Sequence, residues 1–255
     1  MFIDTHCHLH DEKYADIQGV VSAFVRDGVS VAINMGCSAE SSLKGKELSE
    51  KYSQICFATG CHPSDVDKLD QKEFDIIADL TNHPKCVAVG EIGLDYHWQP
   101  FDKKLQYDCF IKQLELAKTT KLPVSIHSRD ATEDMLKTLK QNKSLLEYGG
   151  VMHCFSGSVE TAKELLDLGL YLSFAGPLTF KNAGRLLDVA TFVPNDFCLT
   201  ETDSPYLAPH PLRGSVNEPK NVSLVTAFLA KIKEKELSEF AQILMRNAKS
   251  LFKKI

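Results

Sequence analysis

The chain has 255 residues, 44% hydrophobic and 25% charged, the profile of a globular protein with a large core. Its formal net charge of -5 excludes a broad basic field for wrapping nucleic acid, so any such ligand must be gripped locally. No apolar run approaches the roughly 18 residues of a membrane span, and Met1 to His10 lacks the basic and apolar regions of a secretory signal. The eight cysteines are scattered singly without a CxxC pair, which reads as reduced thiols packing as small hydrophobes in a cytoplasmic protein.

Along the chain, short apolar runs bounded by Gly, Pro or polar turns predict strands at residues 2–9, 29–36, 54–60, 86–93, 123–127, 150–155, 170–175 and 197–203. Lys/Glu-rich stretches of helical period separate most of them. The one after the fourth run carries Leu105, Cys109, Phe110, Leu114 and Ala117 on one face. Strand and helix in alternation imply a parallel sheet. The phosphate loops of open nucleotide-binding sheets, GxGxxG and GxxxxGK[ST], are missing, which favours an α/β fold closed as a single (β/α)8 TIM barrel over residues 1–255. Residues 205–219 form a proline-dense loop, and 221–233 and 238–252 read as closing helices, the second with Ser238 as its N-cap. The charge run at 231–236 reads as a solvated face.

In a parallel barrel the C-terminal strand ends converge on one face, where barrel enzymes place their chemistry. The first strand ends in His6-Cys7-His8, and a period of two puts both imidazoles on one side with Cys7 on the other. Glu91 ends the fourth strand, His127 the fifth, His153 the sixth, and Glu201-Thr202-Asp203 the eighth. Each follows an apolar run in which a polar side chain is costly without a partner. Four imidazoles with the carboxylates of Glu91 and Asp203 suit one or two divalent ions of the Zn, Mn, Co or Ni type, with Mg less natural among nitrogen ligands. Glu91 sits where a bridge between two ions belongs. Asp203 is expected both to ligate and to accept a proton from metal-activated water. Glu201 is expected on the same side, orienting a ligand or touching substrate.

These residues stand in segments that resemble the TatD family of metal-dependent hydrolases, within the amidohydrolase superfamily of (β/α)8 barrels. The matching stretches include Phe2-Ile-Asp-Thr-His-Cys-His-Leu9, Gly60-Cys-His-Pro63, Val89-Gly-Glu-Ile-Gly-Leu-Asp-Tyr96, Leu122-Pro-Val-Ser-Ile-His-Ser-Arg-Asp-Ala131, His153-Cys-Phe-Ser-Gly157, Glu201-Thr-Asp-Ser-Pro205, Asn217-Glu-Pro219 and Asn247-Ala248. The resemblance implies His6, His8, Glu91, His127, His153 and Asp203 as metal ligands and DNase activity, often from a strand end. Fold and family do not by themselves fix substrate.

His62, at the third strand end, is a candidate to touch a phosphate or protonate a leaving oxygen. Arg129 and Arg213, on loops after the fifth and eighth strands, can grip phosphate bidentately. Tyr96 and Trp98 can stack on a base, but read first as packed loop anchors. His10, His83, His97 and His210 carry no assigned role. A serine nucleophile lacks the GxSxG elbow at Ser156, and Cys154 is expected on the face opposite His153. The combined reading is a metal-dependent phosphodiesterase acting on DNA, preferably at ends or on single strands, through hydroxide activated by one or two divalent ions. It requires no obligate protein partner. The competing readings are an ester or amide hydrolase of the same fold, such as an aminoacyl-tRNA deacylase, and a non-catalytic metal-binding protein.

Overall fold

A computed structural model describes residues 1–255. Eight parallel strands follow one another around a single sheet in chain order: β1 (Phe2–Cys7), β2 (Val29–Met35), β3 (Ile55–Thr59), β4 (Cys86–Asp95), β5 (Val124–Arg129), β6 (Gly150–Met152), β7 (Tyr171–Phe174) and β8 (Cys198–Thr200). The sheet then returns to its start. Cys7 bridges Ser204, the His8 N–H donates to the Ser204 carbonyl at 2.7 Å, and the Asp203 N–H donates to the His6 carbonyl at 2.9 Å. The architecture is the expected (β/α)8 barrel.

Two apolar layers follow from strand alternation. A cluster of 32 buried residues fills the space between the sheet and the helices around it. A second cluster joins Ile3, Ile33, Cys56, Val87, Val151 and Leu199, from six different strands, with Ala248, Leu251 and Phe252. Only the inside of a closed sheet brings side chains of β1 and β4 together, and the C-terminal helix Leu237–Leu251 therefore plugs the barrel floor. That helix starts one residue before the expected cap. Glu236 is the extended residue ahead of it, and Ser238 lies inside its first turn. No helix is long and apolar enough to cross a membrane.

The seam between β1 and the segment after β8 is polar. Asp4 is fully buried, and its carboxylate accepts from the Thr202 N–H at 2.9 Å and the Thr202 hydroxyl at 2.5 Å. Asn217 donates to the carbonyls of Thr202 at 3.0 Å and Tyr206 at 2.8 Å, tying the proline-dense loop onto the seam. Asp4, Thr202 and Asn217 are each partnered, the condition for tolerating them there, whereas the buried Ser204 hydroxyl has no hydrogen-bond partner.

Six predicted strands are longer than the observed ones, and the first, sixth and eighth overrun by two or more residues at their C-terminal ends. Beyond Met152 and Thr200 the chain leaves the ladder, with Cys154 at φ +41° and Asp203 at φ +54°, left-handed values that end strand alternation; beyond Cys7 it turns into the mouth. β4 departs the other way, as does β5, and runs two residues past its predicted end. Its continuation depends on Gly93, at φ +146°, where a Cβ would stand 2.0 Å from the His127 carbonyl oxygen. Gly93→Ala is expected to force β4 and β5 apart at His127, lowering stability by about 3 kcal/mol in urea unfolding. Unchanged stability would show that the two strands can separate freely.

Candidate metal centre

At the C-terminal end of the barrel the strand ends converge on a cavity of about 810 Å³. His6 and His8 project from the end of β1 with their Nε2 atoms 3.2 Å apart, and Asp203 Oδ1 stands 3.6 and 3.3 Å from them. Across the barrel, His127 Nδ1 and His153 Nε2 are also 3.2 Å apart. Glu91 lies between the two pairs. Its Oε1 is 2.8 Å from both His127 Nδ1 and His153 Nε2, while its Oε2 is 3.3 Å from His6 Nε2 and 3.6 Å from His8 Nε2.

Each imidazole is held by its other nitrogen. His127 Nε2 meets Asp95 Oδ2 at 2.9 Å, and His153 Nδ1 meets Glu201 Oε1 at 3.3 Å. His6 Nδ1 meets the Ser125 hydroxyl at 3.4 Å, and His8 Nδ1 meets the Cys37 sulfur at 3.8 Å. Asp95 and Glu201 can only accept when ionised, so they fix the protons of His127 and His153 on the outer nitrogens. Burial pushes the pKa of His127 and His153 down, but the carboxylates of Glu91, Asp95 and Glu201 outweigh it and hold both above the ordinary value, so without an ion the inner nitrogens carry protons that face the Glu91 oxygen. A divalent cation would replace those protons.

The donor set fits a divalent metal on these grounds. Nitrogen ligands at 2.0–2.1 Å from a tetrahedral zinc-type ion are separated by about 3.3 Å, close to the 3.2 Å seen in both imidazole pairs. The ligand atoms of His6, His8 and Asp203, and those of Glu91, His127 and His153, form two groups each within 4.8 Å. One carboxylate serving two groups is the arrangement of a bridge. Burial pushes the Glu91 carboxyl up, but the imidazoles of His153, His6 and His62 and the bond from His127 outweigh it, holding the group well below the usual carboxylate range. Burial likewise pushes Asp203 up, and His8 and His6 bring it below its ordinary value. Both are thus in the ligating form at neutral pH.

The other expected site residues fall into three situations. His62 borders the centre, its Nε2 3.6 Å from Glu91 Oε1 and its ring edge-on to His127. Its Nδ1 accepts from the Ser64 N–H at 3.1 Å, leaving Nε2–H to face the cavity, and burial lowers its pKa to about 4. Arg129 lines the cavity as the last residue of β5 rather than on the loop beyond it. Arg213 is exposed, with its guanidinium over the Phe180 ring and no part in the cavity wall. Glu201 is buried behind His153, accepts from the Cys154 N–H at 2.7 Å, and does not line the cavity.

Four residues behave differently from expectation or were not singled out. Cys154 shares the cavity wall with His153, because its left-handed backbone cancels strand alternation. Its thiol is pushed well up by burial and by Asp203, so it remains protonated and unsuited to nucleophilic attack. Trp98 is 64% exposed and lines the mouth, whereas Tyr96 is the packed anchor, stacked on Phe101 and bonded to Asp134. Cys37 lines the cavity instead of packing as a hydrophobe. Asp95 was legible in principle, since alternation from Glu91 through Gly93 returns to the same face at residue 95.

The TatD-related DNase family matches residues 3–253 of this chain. The chain belongs to the TatD family of metal-dependent hydrolases. It is 43% identical to the uncharacterized metal-dependent hydrolase YabD of Bacillus subtilis, over 99% of both chains, and 36% identical to YcfH of Escherichia coli, covering 98% of this chain and 95% of that one. The crystal structure of YjjV, a TatD homologue from Escherichia coli, superposes with a TM-score of 0.94 at 31% identity, covering 99% of this chain and 98% of that one.

As a TatD-family centre, the site makes a sharp demand of its outer partners. Asp95→Asn keeps shape but can present an amide N–H to His127, allowing the ring proton to move to the ligating nitrogen. Divalent-cation affinity is expected to fall about 10–100-fold in a chelator-competition titration. Equal affinity in the variant would mean that packing alone orients His127.

Proposed function

We propose that this chain is a metal-dependent hydrolase of phosphodiester bonds in DNA, acting preferably on ends or single strands. The observation that carries the reading is the Glu91 carboxylate, divided between two imidazole pairs at the floor of an open cavity. His6, His8 and Asp203 would hold one divalent ion, His127 and His153 a second, and Glu91 would serve both. Such ions, when bound, supply Lewis acidity toward phosphate oxygen and lower the pKa of coordinated water.

This chain's own residues supply the rest. Asp203, ionised and partly exposed to the cavity, accepts the proton released by the attacking water. His62 offers Nε2–H to a non-bridging phosphate oxygen, and Arg129 adds a guanidinium on the same wall. Glu201 and Asp95 hold His153 and His127 in the tautomers that ligate. The free thiols at all eight cysteines suit a reducing compartment, and we place the enzyme in the cytoplasm.

Chelation is expected to abolish hydrolysis, and a divalent cation to restore it, while the apo protein stays folded on its apolar core at a lower melting temperature. Full activity in protein shown by elemental analysis to be metal-free would sink the proposal. Asp203→Asn should lose turnover by at least about 10²-fold, and should lose less metal than His127→Ala. Substrate class is decided by a panel of single-stranded DNA, duplex DNA and aminoacyl esters with metal-replete enzyme. A kcat/KM for aminoacyl esters about 10²-fold above that for every DNA form would replace the nuclease with a deacylase.

A further inference from the structure

A second chamber, of about 600 Å³, adjoins the metal-centre cavity, and Ser128, Arg129 and Ser156 line both. It extends from the end of β5 toward α-helices Val159–Asp167 and Gly184–Phe192, and Arg185, the second residue of the latter, lines it. Nothing in the hydrolytic machinery described above uses Arg185 or explains the space.

The distribution of arginine gives the chamber its chemistry. The chain has only five arginines. Arg26 and Arg246 pair with Asp27 and Asp196, whereas Arg129 and Arg185 make no ion pair and both line this chamber. The one carboxylate on its wall, Asp130, is engaged by His97 Nδ1 at 2.8 Å. Two guanidinium groups therefore line a water-accessible space continuous with the metal centre, with their donors free for an anion. Arg129 also lies 5.4 Å from the ring of Trp98, the single tryptophan of the chain, on the rim of the first cavity.

We propose that the second chamber seats the phosphate next along the strand from the scissile one, with Arg185 donating to its oxygens and Arg129, which lines both cavities, standing between the two phosphates. The preferred substrate is then a strand carrying at least two phosphates, not an isolated diester. This deepens the nuclease reading and rests on it. Guanidinium suits the task because its planar fork matches two phosphate oxygens at once and its charge does not titrate. A small diester ends inside the first cavity and leaves Arg185 without a partner, so length is rewarded by one further phosphate and no more.

The test compares metal-replete wild type, Arg185→Ala and Arg185→Lys on single-stranded hexathymidylate and on bis(p-nitrophenyl) phosphate. Arg185→Ala should lower the ratio of kcat/KM for the oligonucleotide to that for the small diester about tenfold, mainly through KM, with partial rescue by lysine. Binding of hexathymidylate, followed by the fluorescence of Trp98, should lose about 0.7 from its log-log salt slope in Arg185→Ala, the loss of one phosphate contact. An unchanged ratio with an unchanged slope overturns the proposal, as does an equal loss on both substrates, which would place Arg185 at the scissile phosphate or in the fold. Hexathymidylate that binds with the Arg185-dependent slope but stays intact supports the chamber and overturns the nuclease reading. Hexathymidylate that neither binds nor is cut overturns the chamber.

Discussion

The Glu91 carboxylate is the constraint around which this barrel is arranged. It is buried, yet ionised, because five imidazoles surround it at 2.8 to 3.6 Å. A charge so placed is costly to bury unless its partners stay where they are. The partners come from β1, β5 and the turns after β3 and β6, strand ends that only a closed sheet brings together around β4. The requirement runs in both directions: closure assembles the centre, and the centre gathers carboxylates whose charge is balanced by imidazole protons that a divalent cation would replace.

Around that centre, a layer of acceptors determines what each imidazole can do. Asp95 and Glu201 are carboxylates that hold ring protons outward, and Ser125 and Cys37 take the same place behind His6 and His8. The pairing is unequal. Carboxylates make the imidazole more electron-rich than a hydroxyl or thiol does, so His127 and His153 are the stronger donors and His6 and His8 the weaker. The second pair compensates with Asp203, a direct anionic neighbour that the first pair lacks. One half of the centre is therefore tuned from behind, and the other by a carboxylate that also faces the cavity.

The barrel was legible because each apolar run is short and separated by a helical stretch, and because the polar residues that matter stand at strand ends, where apolar surroundings make them conspicuous. His6, His8, Glu91, His127, His153 and Asp203 all come together where strand-end reasoning put them. Legibility failed where the backbone leaves the strand. Alternation placed Cys154 behind the sheet, but φ of +41° turns it into the cavity. The placement of Arg185 and Trp98 is illegible for a different reason: both belong to segments that follow a strand, and periodicity says nothing about which way such a segment faces. Glu201 adds a third case, since alternation gives its side of the strand but not its depth, which here sets it behind His153.

The seam that closes the sheet also places the most demanding residue of the centre. Asp203 must turn its carboxylate inward immediately after β8, which requires a left-handed backbone that an ordinary side chain resists. Its N–H is fixed to the His6 carbonyl, its carbonyl accepts from the Tyr206 N–H at 3.0 Å, and the next residue bridges Cys7. Asp4 holds Thr202 on the other side. The strained conformation is thus over-determined by bonds that the barrel needs anyway to join its first strand to its last. His6 and His8 lie on the opposite strand of the same seam, so the spacing of Asp203 to both imidazoles is set by the hydrogen bonds of closure themselves. A carboxylate built in this way keeps its distance from both imidazoles as long as the barrel is closed, with no separate element needed to position it.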